Sequence, residues 1–416
     1  MQGNVDSAAG TLRSPGYQMM LVGLLSLNFG IVFFDRQALN VLMPFVQPEL
    51  GLTQTQIGLI SGGLSFTWAI AAFFVGWLSD KTGQRKLLLV LSTIAFSLCS
   101  FLTGISSSFA FLIGARLLMG VAEGGVMPIS HAMVATEVSR ERRGLAQGVA
   151  QNLGSNLLGS FLAPVVLVAF ATAFGWRESF YLAGVPGIIS AVLIWFLIDE
   201  PAAPPKAADH DKMTLLDALK IRNIWISVVV GVLMVAHFVI TWAFMPLYLA
   251  QVRGIDNETM SWLMGSLGVA AAIYSFGVSG LSDIIGRKPV MVVLPFLSLV
   301  GPLTAMYFTG SPFVMAFLFF IGWAVNGTFP IFMATIPSET VDARHHATVL
   351  GLAMGACEIL GGVFGPPIAG MLNDAFGHSS FLWLQMGLAI CAGFVAMGLV
   401  ETAPRQLRKR GLAPTG

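Results

Sequence analysis

GWLSDKTGQRK (residues 76–86) returns as SGLSDIIGRK (residues 279–288). Asp80 falls on Asp283 and Gly83 on Gly286, both at an offset of 203. Moving outward, GVAQNLGSNLLGSFLAP (148–164) overlays GLAMGACEILGGVFGPP (351–367) at the same offset, and Gly148, Ala150, Leu157, Gly159, Phe161 and Pro164 meet identical residues. At an offset of 202, Gly120, Gly125, Pro128, Ile129, Ala132 and Glu137 meet Gly322, Gly327, Pro330, Ile331, Ala334 and Glu339. One unit is written twice. Many membrane transporters are built from such repeats, with the substrate site between the units near the bilayer midplane.

The rest of the chain places that unit in a membrane. Of 416 residues, 56% are hydrophobic and 10% charged, against about 25% charged in a soluble globular protein. Twelve apolar runs reach spanning length: residues 19–46, 57–78, 87–104, 109–136, 145–171, 179–198, 223–249, 260–281, 289–309, 313–336, 348–371 and 380–400. The expected fold is an all-α membrane protein of twelve transmembrane helices in two six-helix repeats. The expected division is a cytoplasmic tail 1–18, a six-helix half 19–198, a cytoplasmic linker 199–222, a second half 223–400 and a cytoplasmic tail 401–416. With the N-terminus taken as cytoplasmic, 18 of the 22 Lys and Arg residues fall in cytoplasmic segments, including Arg140, Lys206, Lys212, Arg344 and Arg410. Only Arg177 and Arg253 lie opposite, and Arg36 and Arg116 lie inside spans. This asymmetry puts both termini in the cytoplasm and the chain in the cell membrane as a multi-pass protein, the inner membrane in a bacterium. A net charge of +1 leaves no nucleic-acid footprint. Cys99, Cys357 and Cys391 sit in apolar runs without ligand spacing, so neither a disulfide nor a metal is expected. The expected partners are the lipid bilayer and a small-molecule substrate, with the chain a monomer.

Arg116 and Glu123 stand seven residues apart in the apolar stretch 109–134. A charge in hydrocarbon costs roughly 2.5–3.5 kcal/mol on insertion scales. Seven residues are nearly two helical turns, so the two side chains leave one face about 10 Å apart along the axis. Asp35 and Arg36 lie deep in the first span, at a depth similar to Arg116. Desolvation favours a carboxyl's neutral form and a nearby guanidinium its charged form, so a carboxyl whose Arg partner can leave is a proton switch. Arg stays charged and offers a bidentate fork for carboxylates. Asp35 and Glu123 are therefore the expected proton-coupling residues, and Arg36 or Arg116 the expected anion-binding group. The competing reading is a static network that staples helices.

At this point the chain resembles the major facilitator superfamily over its whole length. The most specific element is the loop with Gly76, Asp80, Lys81, Gly83, Arg85 and Lys86, repeated as Asp283, Gly286 and Arg287. Gln84 occupies a position that is often basic in the family. The resemblance implies that Asp80 pairs across the interface of the halves and helps hold an outward-facing state, so these residues form the expected conformational-switch loop. FFDRQALNVLMPF (33–45), RLLMGVAEGGVMP (116–128) and RERRGLAQG (140–148) resemble the anion:cation symporter branch, with Asp35, Arg36, Arg116, Glu123 and Pro128 matching its pattern. Spinster-like lipid transporters also carry an acid in helix one and an Arg/Glu pair in helix four. Symporters of polar sugar acids often have a tyrosine near the helix-one aspartate. This chain has Phe33 and Phe34 there, which favours a more apolar acid.

Other polar residues are candidates for the cavity wall. His237 is the repeat counterpart of Asp35 and either relays protons or contacts substrate, or is a packing residue. Gln151, Asn152 and Asn156 form a polar stripe that lines the cavity or glues helices. Asn326 aligns beside Glu123 but is neutral, and Glu358 is an uncompensated acid in the eleventh span. Span five lacks the glycine-proline pattern of superfamily drug antiporters, which favours symport. The function expected is proton-coupled uptake of a small organic anion, either a fairly apolar carboxylate or a sugar acid, by alternating access with protons as the only cofactor. The alternative is proton-driven export of a lipid-like or drug-like amphiphile. No nucleophile–base arrangement or phosphate loop supports an enzyme.

Overall fold

A computed structural model gives the fold and describes residues 13–139, 142–201, 213–342, 345–409 and 411. Residues 202–212 of the expected linker, and Arg140, Lys206, Lys212, Arg344 and Arg410 of the charge count, lie outside the described residues. Eleven helices are long and apolar enough to cross a membrane. They are α1 (Pro15–Leu50), α2 (Gln54–Thr82), α3 (Arg85–Gly104), α4 (Phe109–Glu137), α5 (Arg143–Phe174), α6 (Trp176–Leu197), α7 (Arg222–Val252), α8 (Asn257–Ile285), α9 (Arg287–Tyr307), α10 (Pro312–Thr340) and α11 (Thr348–Phe376). A shorter apolar helix, α12 (Ser380–Ala396), completes the series. No strand occurs among the described residues.

Local chemistry sets the helix ends. Ser14 caps α1 by accepting from Tyr17 N–H, with Pro15 at the first helical position. These two residues start the helix four positions before the apolar run begins, because a cap needs a hydroxyl rather than hydrophobicity. Thr53 and Gln56 close a reciprocal capping box on α2. The repeated loop owes its glycines to backbone geometry: Gly83 has φ +69° and Gly286 φ +112°, where a side chain is strained. Both copies of the loop are wired alike. Arg85 reaches Asp80 at 3.5 Å and Thr136 Oγ1 at 2.7 Å. Arg287 reaches Asp283 at 2.6 Å and Glu339 at 2.9 Å. Glu200 accepts from Lys86 N–H at 3.0 Å, and Glu401 accepts from Arg287 and Lys288 N–H at 2.8 and 3.2 Å.

Small residues let the helices approach within each half. A Cβ added at Gly120 lies 2.1 Å from Thr67 Oγ1 across the α2–α4 contact, and one at Gly327 lies 2.4 Å from Tyr274 O across the matching α8–α10 contact. Between halves, α2 meets α11 where a Cβ at Gly58 lies 2.3 Å from Pro366 O, and α5 meets α8 where one at Gly268 lies 2.3 Å from the Ser160 carbonyl carbon.

These seams close one face only. Asp374, near the end of α11, accepts from Gln54 N–H (3.0 Å), Thr55 N–H (2.8 Å) and Thr55 O–H (2.5 Å) at the start of α2. Gln251 donates to Gln47 at 3.0 Å on the same face. At the opposite face, which carries the start of α1 at Pro15 and the end of α2 at Thr82, no hydrogen bond or ion pair links the halves among the described residues. Asp80 and Asp283 there are 70% and 62% exposed and bonded within their own halves. Among the described residues, the hydrogen bonds that join the halves are therefore confined to one face, and neither Asp80 nor Asp283 pairs across them.

Candidate functional site

α4 breaks from regular α-helix at Gly125, directly after the segment carrying Arg116 and Glu123. Both side chains are 1% exposed, and Asp35 on α1 is fully buried. Ser100 of α3, 2.8 Å from Phe180 O, donates its hydroxyl to Asp35 Oδ1 at 2.6 Å. Arg116 lies with its guanidinium carbon 5.3 Å from the Phe180 ring centre and Nη1 3.0 Å from Met119 Sδ. It forms no ion pair with Asp35 or Glu123 within 4.0 Å. Among the described residues, Asp35 Oδ2, Arg116 Nε and Nη2, and both Glu123 oxygens have no hydrogen-bond partner. Native interiors rarely leave such groups unpaired. Two acids and a guanidinium are thus buried inside the first half with no ion pair among them within 4.0 Å.

Arg36 differs from Arg116. It is half-buried, and its guanidinium carbon lies 5.6 Å from the Phe33 ring centre and 5.5 Å from that of Trp68 on α2. Among the described residues it makes no hydrogen bond or ion pair, so its fork is free while its flat faces meet aromatic rings. Glu358 of α11, on the other half, lies at the seam with α2, the helix that carries Trp68.

The remaining candidates separate. Gln151, Asn152 and Asn156 are half-buried along a stretch of α5 wound as π-helix (Val149–Leu153 and Ser155–Leu162). Such stretches are frequent at functional sites. Gln151 Nε2 lies 3.7 Å from Met127 Sδ. Asn326 is half-buried in the 3₁₀ stretch Trp323–Thr328 of α10. His237 is not brought to Arg36. Its Nδ1 lies 3.3 Å from Gln385 O of α12, its carbonyl accepts from Gln385 Nε2 at 3.0 Å, and with Thr241, Ser298 and Trp323 it lines a small cavity inside the second half. Asp35 likewise points into its own half, so these repeat counterparts occupy equivalent places with different chemistry. Sequence reasoning missed Ser100 and Asp374, and did not single out Trp68 among the tryptophans that could line the cavity. Asp374 had one available signal, an acid at a span end whose counterpart 203 residues earlier is Ala171.

A duplicated helical membrane protein whose halves are bonded to each other at one face, with charged groups inside its spans, has the architecture of an alternating-access transporter. A sequence profile of the Major Facilitator Superfamily matches residues 25–280 and 228–415. The chain belongs to that superfamily: it is a multi-pass transporter of the cell membrane and not an enzyme. It is 27% identical to the probable sulfoacetate transporter SauU of Cupriavidus necator, over 86% of this chain and 84% of the relative. It is 29% identical to the hexuronate transporter of Bacillus subtilis, over 89% and 92% respectively. The fold is similar to that of a bacterial homolog of the human lysosomal transporter Spinster in an inward-facing and occupied conformation. There the TM-score is 0.76 at 19% identity, over 92% of this chain and 97% of that one.

Proposed function

We propose that this protein is a proton-coupled symporter that takes up a small organic anion. The free fork of Arg36, flanked by the rings of Phe33 and Trp68, is the observation that carries the reading. A planar guanidinium presents paired donors that match a carboxylate or sulfonate, and its aromatic flanks suit an anion with an apolar body. Arg116, buried against Phe180, is the internal counter-charge for Asp35 and Glu123. Asp35 and Glu123 carry the protons: anion at Arg36 neutralises that cation, and Glu123 then binds a proton. This arrangement makes proton uptake depend on anion uptake. The sulfoacetate and hexuronate relatives, named for organic anions, support the substrate class. The positive-inside asymmetry supports twelve spans with both termini in the cytoplasm, so that the face opposite the Asp374 contacts is cytoplasmic. The protein works as a monomer of two six-helix halves, 19–198 and 223–400.

Proteoliposomes with an inwardly directed proton gradient test this, with sulfoacetate, glucuronate and a short-chain carboxylate as radiolabelled probes. Gradient-driven accumulation of at least one anion that disappears in Arg36→Ala is expected. An outward-directed dependence, with efflux of an amphiphile driven by proton entry, establishes the exporter instead.

A further inference from the structure

Glu358 is the one charge that the second half carries deep inside a span. The other Asp, Glu, Lys and Arg residues of α7 to α12 lie within about a turn of a helix end. Its position follows from a local irregularity, the π-helical stretch Cys357–Val363 in α11. There the carboxylate reaches forward along the helix towards Gly362: a Cβ added at Gly362 lies 3.2 Å from Glu358 Oε2 and 3.7 Å from Ser65 Oγ of α2. The acid is thus at the seam between the halves, and Ser65 is one turn before Trp68, the ring beside Arg36.

Two features make this acid unlike a structural one. It is half-buried yet accepts no hydrogen bond from any described residue. It forms no ion pair with Arg36 within 4.0 Å, although Ser65 and Trp68 of α2 join the surroundings of the two groups. The seam therefore presents donors without an acceptor on one half and an acceptor without a donor on the other. A ligand that satisfies both needs an anionic group at one end and a hydrogen-bond donor at the other.

We propose that Glu358 is a specificity-determining residue that receives a hydroxyl or ammonium group of the substrate while Arg36 holds its carboxylate, so that the preferred substrate is a short hydroxy- or amino-carboxylate rather than a plain or dicarboxylic acid. This rests on the assignment of Arg36 as the anion site. A site built to hydrogen-bond a substrate group discriminates strongly against an analogue lacking it, because its own buried polar atom is then left unpaired. A second carboxylate is disfavoured at the same place by like charge. Because the two groups belong to different halves, such a ligand also bridges the seam, which a plain carboxylate does not.

The test is binding to the purified full-length transporter, read by Trp fluorescence and calorimetry. The probes are butyrate, 2-, 3- and 4-hydroxybutyrate, 4-aminobutyrate and succinate. At least one hydroxy or amino probe is expected to bind tenfold or more tightly than butyrate, and succinate more weakly than the hydroxy acids. Glu358→Ala is expected to remove that preference and leave butyrate within about twofold. Glu358→Gln, which keeps a carbonyl acceptor, is expected to retain the hydroxyl preference and lose the amino preference. Equal affinity of the wild type for butyrate and every donor-bearing probe overturns the proposal, as does an equal loss of all probes in both Glu358 variants. If butyrate binding vanishes in Arg36→Ala while no donor preference exists, the anion site stands and the role of Glu358 falls. If butyrate binding survives Arg36→Ala, the anion site itself is wrong.

Discussion

Replacing Asp374 by Ala is expected to open the face at which the halves are bonded. Asp374 accepts two backbone N–H groups and a hydroxyl at the first turn of α2, so an acid of the second half caps a helix of the first. Loss of a capping side chain costs about 0.5–2 kcal/mol, and loss of a negative charge from a helix N-terminus about 0.3–1 kcal/mol. Together these give about 2 kcal/mol. The cost falls on the closed-face conformer alone, because the bonds join the two halves and neither half needs them for its own packing. At 1.4 kcal/mol per tenfold, the closed-to-open ratio drops roughly 30-fold. Asp374→Asn keeps one acceptor oxygen without the charge and is expected to move the ratio about half as far on a logarithmic scale. The assay is pulsed electron–electron distance measurement between labels at Ser107 and Thr309, exposed residues on that face, after removal of the three native cysteines. A second, longer distance gaining population in Asp374→Ala is the expected result. Coincident distributions in the variant and its parent refute the reasoning.

Arg36→Lys is expected to keep charge but lose the fork and the aromatic stacking, raising KM for the anion by about tenfold or more with little change in folded yield, checked by initial uptake rates. Gly154→Val is expected to separate α1 from α5, since a Cβ there lies 1.8 Å from Ser26 O. A loss of about 3 kcal/mol or failure to fold follows, read as thermal unfolding in detergent. Asp256 caps α8 by accepting Thr259 N–H at 2.8 Å, and that backbone hydrogen bond holds its carboxyl below the ordinary value. A depressed folded-state value stabilises above the unfolded value of about 3.9 and is lost as pH falls through the folded one. Asp256→Ala is therefore expected to cost about 1 kcal/mol at neutral pH and nothing in strong acid, measured by unfolding at both pH values.

The duplication was legible because identical residues recur at fixed offsets in the sequence, and the apolar runs located the helices because burial in lipid demands length. What periodicity could not fix was which helix each charged face meets. Arg36 and Arg116 read alike as intramembrane cations, yet one stacks on Trp68 at the seam and the other on Phe180 inside the first half. That choice depends on the neighbours that α2 and α6 bring, which no local pattern in α1 or α4 encodes. His237 read as a cavity candidate through its match to Asp35, but the match places it inside its own half, beside Gln385. Asp374 looked like an ordinary polar helix end, because its partners are backbone N–H groups 319 and 320 residues away. The starts of α1 and α2 were set by capping residues, which a hydrophobicity window does not see.

The central claim is that anion binding at Arg36 obliges proton binding at Glu123. Its most direct test is Glu123→Gln in proteoliposomes, with gradient-driven accumulation and substrate exchange measured on the same vesicles. The account predicts that accumulation against a gradient is lost while exchange of anion across the membrane persists. Accumulation that survives in Glu123→Gln at the wild-type proton dependence contradicts it.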